Sequence, residues 1–463
     1  MSDIFKCTST SRRRVNCAKF TLLIAVRTVI AFTAVLATVI PATGQEASMF
    51  RGGISHAGVY AGAGVPTLTG VKWKFQTRGR VVSSPAVANG MVYVGSTDAN
   101  LYAIDLESGA LKWEFATDSA VTSSPAVSGG FVFFGSYDGR FYAVDALTGK
   151  LQWKFQTGGE KRYSAKHLHG MQPQGETMPD PWDFFLSSPA IWEGNVFFGS
   201  GDGNVYALNA TSGELKWKFH TGDVVHSSPA IADDTLFIGS WDGYMYALNA
   251  ADGTEKWRFK TGDDPDIHNH VGIQSSPVVA DGVVYFGCRD SNVYALNAAN
   301  GELKWFYSTK GSWVNNSPAV FDGRVYFGWS VPGHLEAVDA NSGKLLFSLD
   351  TKVPVFSSLA IAHGLIYMGT FDGKLTAIDL ASQKPVWSFQ TEASKQNFPA
   401  LSLPDGTFKW DAIFEASYPH LLYEDMVTGV RKLSTVGAIL SSPVVVGNTV
   451  YVGSTDGNIY ALN

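Results

Sequence analysis

Hydrophobic and polar residues alternate along most of the chain in runs of about four to six residues, the period-two pattern of half-buried β-strands. A clear copy reads Ser83-Ser84-Pro85-Ala86-Val87, Val92-Tyr93-Val94-Gly95-Ser96, Leu101-Tyr102-Ala103-Ile104-Asp105 and Lys112-Trp113-Glu114-Phe115. Glycine-containing turns separate the runs. The copy therefore predicts four short antiparallel strands.

The Ser-Ser-Pro element recurs and sets the repeat. It begins at Ser83, Ser123, Ser187, Ser227, Ser275 and Ser441, with variants at Asn316-Ser317-Pro318 and Ser357-Ser358-Leu359. A period of about 40 residues indicates a radial or stacked repeat, and four antiparallel strands at this period are typical of a β-propeller blade. Eight copies predict an all-β, eight-bladed propeller. Nine blades are the alternative, because Phe398-Pro399-Ala400-Leu401 and Thr428-Gly429-Val430-Arg431-Lys432-Leu433 weakly echo the pattern in the long last interval.

Two glycine turns and one tryptophan keep fixed places in the copies. Asp-Gly between the second and third strands suits a tight hairpin turn, so we interpret these aspartates as turn formers rather than as catalysts or metal ligands. A second glycine turn, as at Ser108-Gly109, precedes the fourth strand. That strand carries Trp73, Trp113, Trp153, Trp217, Trp257, Trp305 and Trp387, with Phe347 in one copy. Their equivalent positions predict that these rings pack between blades.

The two ends of the repeat region complement each other. Val71-Lys72-Trp73-Lys74-Phe75 has the pattern of a fourth strand, and the sequence stops after the third-strand pattern Ile459-Tyr460-Ala461-Leu462. Pairing the two completes a blade and removes an exposed sheet edge. We therefore predict one propeller domain over residues 71–463, preceded by a lead-in at residues 45–70.

Residues 1–44 have the pattern of a secretory signal peptide. A basic region at Arg12-Arg13-Arg14 precedes an uncharged apolar run at residues 28–40, and Ala42-Thr43-Gly44 offers small residues for cleavage near Gln45. An uncleaved anchor is the alternative, but the apolar run after Arg27 is shorter than the roughly 20 residues of a spanning helix. We expect a periplasmic or secreted protein with no integral membrane segment after cleavage.

Cleavage would change both the charge and the cysteine content. It leaves 29 basic and 40 acidic residues, a net charge of −11, which argues against nucleic acid or an anionic membrane as partner. Cys288 becomes the single cysteine, so the mature chain has no internal disulfide. We interpret Cys288 as a buried small residue rather than a nucleophile.

Two copies carry a family resemblance. Ala103-Ile104-Asp105-Leu106-Glu107-Ser108-Gly109-Ala110-Leu111-Lys112-Trp113 resembles the tryptophan-docking motif of quinoprotein propellers, and Leu208-Asn209-Ala210-Thr211-Ser212-Gly213-Glu214-Leu215-Lys216-Trp217 resembles the pyrroloquinoline-quinone-like repeat consensus. The resemblance covers about residues 50–463 and implies eight blades. The family includes quinone-dependent alcohol dehydrogenases and the propeller lipoprotein of outer-membrane assembly.

For the dehydrogenases, the resemblance implies pyrroloquinoline quinone, Ca²⁺, a catalytic aspartate and often a disulfide between adjacent cysteines. This chain has no adjacent cysteines. It also has no motif onto which the calcium ligands or the aspartate can be transferred, so we assign no catalytic residue.

Three insertions interrupt the repeat, at residues 158–186, 262–274 and 392–432. All three join a fourth strand to the next first strand, so in a propeller they emerge on one face around the central channel, where binding loops are common. The candidate ligand-binding residues are Arg162, His167, His169, His226, His268, His270, Gln274, Trp313 and Asn315. A metal site, a polar or anionic ligand pocket, and structural loop histidines are the three interpretations of the histidines.

The favoured function is a non-catalytic scaffold that binds a protein partner or a small polar ligand on the insertion-bearing face. The alternative is a quinoprotein dehydrogenase of alcohols or sugars, with pyrroloquinoline quinone and calcium as cofactors.

Overall fold

Eight four-stranded antiparallel sheets follow one another along the chain and form the blades of a β-propeller. The computed structural model describes residues 46–262, 272–415 and 421–463. The first strands of neighbouring blades contact each other from blade 1 round to blade 8 and back to blade 1, so the ring is closed around a central channel. The predicted eight-bladed, all-β propeller is confirmed.

We number the blades in chain order by their first, innermost strands. Blades 1 to 4 consist of Ala86–Ala88, Met91–Gly95, Asn100–Asp105 and Leu111–Ala116; Ala126–Ser128, Phe131–Ser136, Arg140–Asp145 and Leu151–Gln156; Ala190–Trp192, Asn195–Gly199, Asn204–Asn209 and Leu215–His220; and Ala230–Ala232, Thr235–Gly239, Tyr244–Asn249 and Glu255–Lys260. Blades 5 to 8 consist of Val278–Ala280, Val283–Gly287, Asn292–Asn297 and Leu303–Ser308; Ala319–Phe321, Arg324–Trp329, His334–Asp339 and Leu345–Asp350; Ala360–Ala362, Leu365–Gly369, Lys374–Asp379 and Lys384–Gln390; and Val444–Val446, Thr449–Gly453, Asn458–Leu462 and Val71–Gln76.

Blade 8 is shared between the two ends of the repeat region. Val71–Gln76 pairs antiparallel with Asn458–Leu462, with Trp73 opposite Ala461. The pairing gives the third strand of blade 8 its outer neighbour, as the complementary end patterns predict.

The described part of the third insertion forms three α-helices, Glu392–Leu401, Trp410–Phe414 and Tyr423–Ser434. The nine-blade alternative is therefore wrong, because both weak echoes of the repeat lie in the first and third of these helices. The first helix is capped by Thr391, whose hydroxyl accepts a hydrogen bond from the Ser394 N–H at 3.2 Å. Phe398, Val430 and Leu433 are buried in one cluster with apolar residues of the propeller. The segment therefore packs on the propeller through the apolar faces of its helices.

The other two insertions differ in how much of them the structure describes. The first forms a short hairpin, Ser164–Ala165 with Met178–Pro179, and a 3₁₀ turn at Leu168–Gly170. Most of the second, including His268 and His270, lies outside the described residues. Within the described residues, no helix is long and apolar enough to cross a membrane.

The Ser-Ser-Pro elements form a closed ring of hydrogen bonds around the channel. In each blade, the backbone N–H of the second serine donates to the side-chain oxygen of its counterpart in the next blade, at 2.9–3.2 Å. The eight residues are Ser84, Ser124, Ser188, Ser228, Ser276, Ser317, Ser358 and Ser442. The bond from Ser442 to Ser84 closes the circle. The repeated serine thus satisfies buried backbone groups between blades.

Residues 46–65, which we name the N-terminal plug, cross the channel at the end away from the insertions. Ala47 and Val87 of blade 1 exchange backbone hydrogen bonds of 3.0 and 2.9 Å. The Ile231 N–H of blade 4 donates to the Ile54 carbonyl at 2.8 Å. Val59–Tyr60 adds a parallel strand to the inner edge of blade 7. The sequence predicts only a lead-in here, because the plug lacks the repeat pattern.

Arg51 fixes the middle of the plug. Its side chain is buried, at 2% exposure, and the guanidinium donates to the carbonyls of His56, Pro318 and Leu359 at 2.9, 2.5 and 3.1 Å. Pro318 precedes the first strand of blade 6 and Leu359 precedes that of blade 7. One side chain therefore joins the plug to two blades.

Six of the seven repeated tryptophans dock onto the neighbouring blade, as predicted, whereas the Trp387 indole N–H donates to the Val65 carbonyl of the N-terminal plug at 2.6 Å. The Trp113 indole N–H donates to the Ala146 carbonyl of blade 2 at 3.1 Å. Equivalent contacts of 2.9–3.0 Å are made by Trp73, Trp153, Trp217, Trp257 and Trp305. A Cβ at Gly149 would lie 2.6 Å from the Trp113 ring. Glycine in the second turn is therefore needed for indole packing as well as for its positive φ.

Candidate functional site

The insertions and the Asp-Gly turns lie on one face of the propeller, because adjacent strands of a blade run antiparallel. The residue before each Ser-Ser element forms the mouth of the channel on this face. Four of these residues are polar and four apolar: Thr122, His226, Gln274 and Asn315, and Val82, Leu186, Phe356 and Leu440. Below them the channel cavity is only about 40 Å³, enough for about one or two water molecules.

The first insertion covers this mouth with its own aromatic side chains. Trp182 is 9% exposed and its ring centroid lies 6.0 Å from that of Phe356. Phe184 packs 6.1 Å from Trp182 and joins the same cluster as Val82 and Leu440. The centre of the face is therefore filled by residues of this chain.

Arg289 anchors the covering segment from below. Its guanidinium pairs with the buried Asp180 carboxylate and donates to the Gln274 side chain at 3.0 Å. It lies between the rings of Trp241 and Trp313, at 4.4 and 4.3 Å from their centroids. Such stacking and charge pairing make an arginine with 2% exposure tolerable.

His226 is a second buried anchor. Its Nδ1 donates to Asp183 and its Nε2 to Glu160, both at 2.9 Å. Two carboxylate acceptors require a proton on each ring nitrogen. Burial lowers the pKa of His226, but the charges and hydrogen bonds of Asp183 and Glu160 outweigh burial and raise it to about 10. His226 is thus an imidazolium that holds two parts of the first insertion.

The ligand-binding residues predicted from the sequence differ in burial and in hydrogen-bond partners. His226, Gln274 and His169 are buried in contacts within the chain, with His169 Nε2 donating to Asp180 at 3.1 Å. His167 is exposed. Asn315 is buried at the channel mouth, and neither amide atom has a hydrogen-bond partner among the described residues.

Two further candidates line larger pockets, Arg162 above blades 1 and 2 and Trp313 beside blade 6. His268 and His270 belong to the undescribed part of the second insertion.

An apolar pocket of about 360 Å³ opens beside the covered mouth. Its walls include Trp313, Trp410, Phe414, Met426, Pro354 and Val331. The pocket lies between blades 6 and 7 and the helices of the third insertion, with Trp182 as a further wall. Aromatic walls of this size suit a single large apolar group.

The residues at the mouth do not fit pyrroloquinoline quinone with Ca²⁺. The carboxylates nearest the mouth, Glu160, Asp180 and Asp183, are already paired with His226, Arg289 or His169. The ring of Trp182 occupies the space above the channel. In the described ranges, no group of three or more His, Cys, Asp or Glu side chains is placed to hold a metal ion.

Arg289, Trp182 and the carboxylates that hold them are not among the site residues predicted from the sequence. One signal is present in the repeat. Four copies read Ser-X-Asp-Gly at this turn, with a different residue X in each, and Trp241 is X in blade 4. Arg289 occupies the equivalent position in blade 5, where the turn reads Cys288-Arg289-Asp290-Ser291. In an otherwise constant turn, a variable position on the face of the insertions indicates contact with them.

The chain is similar to known propeller proteins. The family model described as outer membrane protein assembly factor BamB matches residues 67–166, 171–317 and 308–463. Among curated proteins, the dehydrogenase subunit of the quinone alcohol dehydrogenase of Gluconacetobacter polyoxogenes is 42% identical over 74 residues, 14% of this chain. The chain spans only 10% of that relative's length.

Two solved structures share the fold. BamB from Moraxella catarrhalis superposes with a TM-score of 0.62 at 16% identity, over 86% of this chain and 100% of that one. Quinohemoprotein alcohol dehydrogenase from Comamonas testosteroni superposes with a TM-score of 0.65 at 15% identity, over 90% of this chain and 80% of that one. With three matched segments that together span nearly the whole propeller, the chain belongs to the pyrroloquinoline-quinone-like repeat propeller family.

Proposed function

We propose that this protein is a non-catalytic binding scaffold that holds a protein partner on the insertion-bearing face. The apolar pocket beside blades 6 and 7 carries the proposal, because it offers aromatic walls to an apolar side chain of the partner. The family description as an outer membrane protein assembly factor supports a protein as the occupant.

The filled mouth of the channel supports the absence of catalysis. Trp182 and Phe184 cover it, and the buried carboxylates beneath them are each engaged by a cation of the chain. Because these carboxylates stay paired in the folded protein, they serve to hold the first insertion in place.

Site-specific photo-crosslinking in the source cells tests the scaffold. A photoreactive residue at Val331, which is 46% exposed in the pocket wall, is expected to capture one defined protein. The matched control is Leu147, 68% exposed on the opposite face. The substitution Met426→Glu should abolish the crosslinked product at Val331. A carboxylate in the pocket wall would lose its water when the partner's apolar side chain enters, and this cost opposes binding. Equal products from Val331 and Leu147, or a product that survives Met426→Glu in a folded variant, would contradict the proposal.

The dehydrogenase alternative has its own test. The purified protein is incubated with pyrroloquinoline quinone and Ca²⁺, and binding is followed by calorimetry while an artificial dye reports oxidation of alcohols and sugars. We expect no saturable quinone binding and no dye reduction. Turnover that depends on both quinone and Ca²⁺ would overturn the non-catalytic proposal.

We also propose that the scaffold is exported, with residues 1–44 removed. The basic and apolar runs of the leader support this. Mass spectrometry of the protein recovered from cell fractions is expected to give an N-terminus near Gln45 outside the cytoplasm. A full-length cytoplasmic protein would contradict export.

A further inference from the structure

A second pocket on the insertion-bearing face lies above blades 8, 1 and 2, away from the apolar pocket. Its volume is about 410 Å³. Arg80, which leads into blade 1, and Arg162 of the first insertion both line it. Arg431, in the helix Tyr423–Ser434, lies close enough for its charge to act on Arg80. Three guanidinium groups therefore approach one another in a chain whose net charge is −6.

The two pocket arginines have no carboxylate partner. Among the described residues, neither Arg80 nor Arg162 forms an ion pair. The Arg80 guanidinium donates to the Ser434 hydroxyl, at 3.1 Å. Asp183 and Glu160, whose charges act on Tyr137 in the same pocket, are bonded to His226. Burial and then the neighbouring Arg162 and Arg431 lower the pKa of Arg80. Repulsion among the three guanidinium groups is therefore not relieved by a direct ion pair within the described ranges.

Two hydroxyl groups add hydrogen-bonding capacity to the same pocket. The oxygens of Tyr137 and Thr122 are buried. Within the described ranges neither makes a hydrogen bond of ordinary geometry, and the Tyr137 hydroxyl lies against the Arg162 side chain, so its own proton is left without an acceptor. Both residues line the pocket. Buried hydroxyls are usually satisfied, so their position beside unpaired guanidinium groups marks a place for an acceptor from outside the chain.

The remaining walls limit what kind of acceptor fits. Val82, Phe184 and Leu440 form an apolar side of the pocket. Its volume exceeds that of one inorganic ion, and a planar guanidinium matches the two oxygens of a carboxylate or phosphate. We propose that this pocket binds a small organic anion, with its carboxylate or phosphate between Arg80 and Arg162 and its apolar body against Phe184.

This inference goes beyond the proposed scaffold, because it concerns different residues and a small molecule. Arg80 is also well placed for the role. Its backbone N–H donates to the Thr97 hydroxyl at 2.8 Å, so the turn of blade 1 fixes the position from which the side chain extends. Such fixing reduces the entropy lost when a ligand binds.

Isothermal titration calorimetry with benzoate, phenyl phosphate and neutral benzamide tests the proposal on the full mature chain. We expect benzoate or phenyl phosphate to bind, with the tighter of the two identifying the anionic group, and benzamide not to bind. Arg80→Gln and Arg162→Gln should each weaken binding about tenfold. Arg78→Gln is the matched control, because Arg78 is exposed and paired with Glu114. Binding of benzamide as tight as that of benzoate, or of neither anion, would overturn the proposal.

Thermal unfolding separates ligand binding from a structural role. Removing an unneutralised cation relieves repulsion, so Arg80→Gln is expected to keep or raise the melting temperature while it weakens anion binding. The anions should raise the melting temperature of the unaltered protein more than that of Arg80→Gln. A marked fall in the melting temperature of Arg80→Gln without ligand would show that Arg80 serves the fold, and would contradict the assignment.

Discussion

At the scale of single residues, the insertion-bearing face is held by buried charges whose partners lie far apart in the sequence. Arg289 and Asp180 are 109 residues apart, and His226 and Asp183 are 43 apart. Their types and their location on one face can be read from the sequence. Their pairing cannot, because it depends on how the first insertion folds back over the channel. His226 and Gln274 are accordingly predictable as candidates, whereas the acids that hold them are not.

The protonated state of His226 makes stability dependent on pH. Its pKa is raised to about 10 in the folded protein, above the roughly 6.5 of an unfolded histidine. The stabilisation that protonated His226 gives to the folded protein is therefore fully present below about pH 6.5 and is lost as the pH rises through about 10. The difference in free energy of unfolding between the unaltered protein and His226→Gln should shrink by about 2–4 kcal/mol over this window.

Urea unfolding at pH 6, 8 and 10 measures this difference. His220→Gln provides the control, since His220 is exposed and bonds only to Asn204 among the described residues. The control difference is expected to stay constant. A His226→Gln difference that is also independent of pH would show that His226 is neutral in the folded state.

At the scale of elements, the blade is the part of the structure that the sequence predicts best. Strand alternation, the Asp-Gly turn and Trp113 all recur at fixed positions, so local pattern and packing agree. The helices of the third insertion are less predictable. Phe398 and Leu433 lie within short echoes of the strand repeat, and only their burial on helical faces against the propeller distinguishes the two interpretations.

Two glycines with nearly the same φ separate the effect of this angle from that of indole packing. Gly109 and Gly90 have φ of +71° and +70°. A Cβ at Gly109 would lie 2.7 Å from the Trp73 ring, whereas one at Gly90 meets nothing within 4 Å. Gly90→Ala should cost about 1 kcal/mol of stability, and Gly109→Ala about 3 kcal/mol, since the indole must also move.

Chemical denaturation of the two variants checks this expectation. Equal losses at the two positions would mean that the Trp73 ring shifts without cost, and would limit the role of the second glycine turn to its backbone angle.

At the scale of the whole molecule, the ring is fastened twice, by the shared blade 8 and by the N-terminal plug. The sequence predicts the first fastening from the complementary patterns at residues 71–75 and 459–462. The plug lies outside the repeat, and its bonds are mostly between backbone groups, which leave little trace in residue type. Arg51 is the exception, but an isolated arginine gives no indication of burial.

Loss of the Arg51 guanidinium is expected to loosen the plug and destabilise the ring. Arg51→Met leaves the carbonyls of Pro318 and Leu359 buried without that donor, a cost of about 3 kcal/mol. Hydrogen exchange should report where the loosening occurs, because the amides of Val87 and Ile361 donate to the plug carbonyls of Ala47 and Gly58 at 2.9 and 2.8 Å.

The control variant is Arg258→Met, because Arg258 is exposed and pairs with Glu255. This substitution should change neither the free energy of unfolding nor the hydrogen exchange of Val87 and Ile361. Unaltered protection of Val87 and Ile361 in Arg51→Met would show that the backbone bonds alone hold the plug.

The closure of the serine ring has a consequence for the order of folding. Ser84 and Ser442 are 358 positions apart, and contacts of such high sequence separation form slowly. During synthesis from the N-terminus, Val71–Gln76 has no partner strand until Asn458–Leu462 has been made. The first blade strand to emerge therefore stays an unpaired edge for the longest time, which makes it the segment most exposed to pairing with another chain before the ring closes.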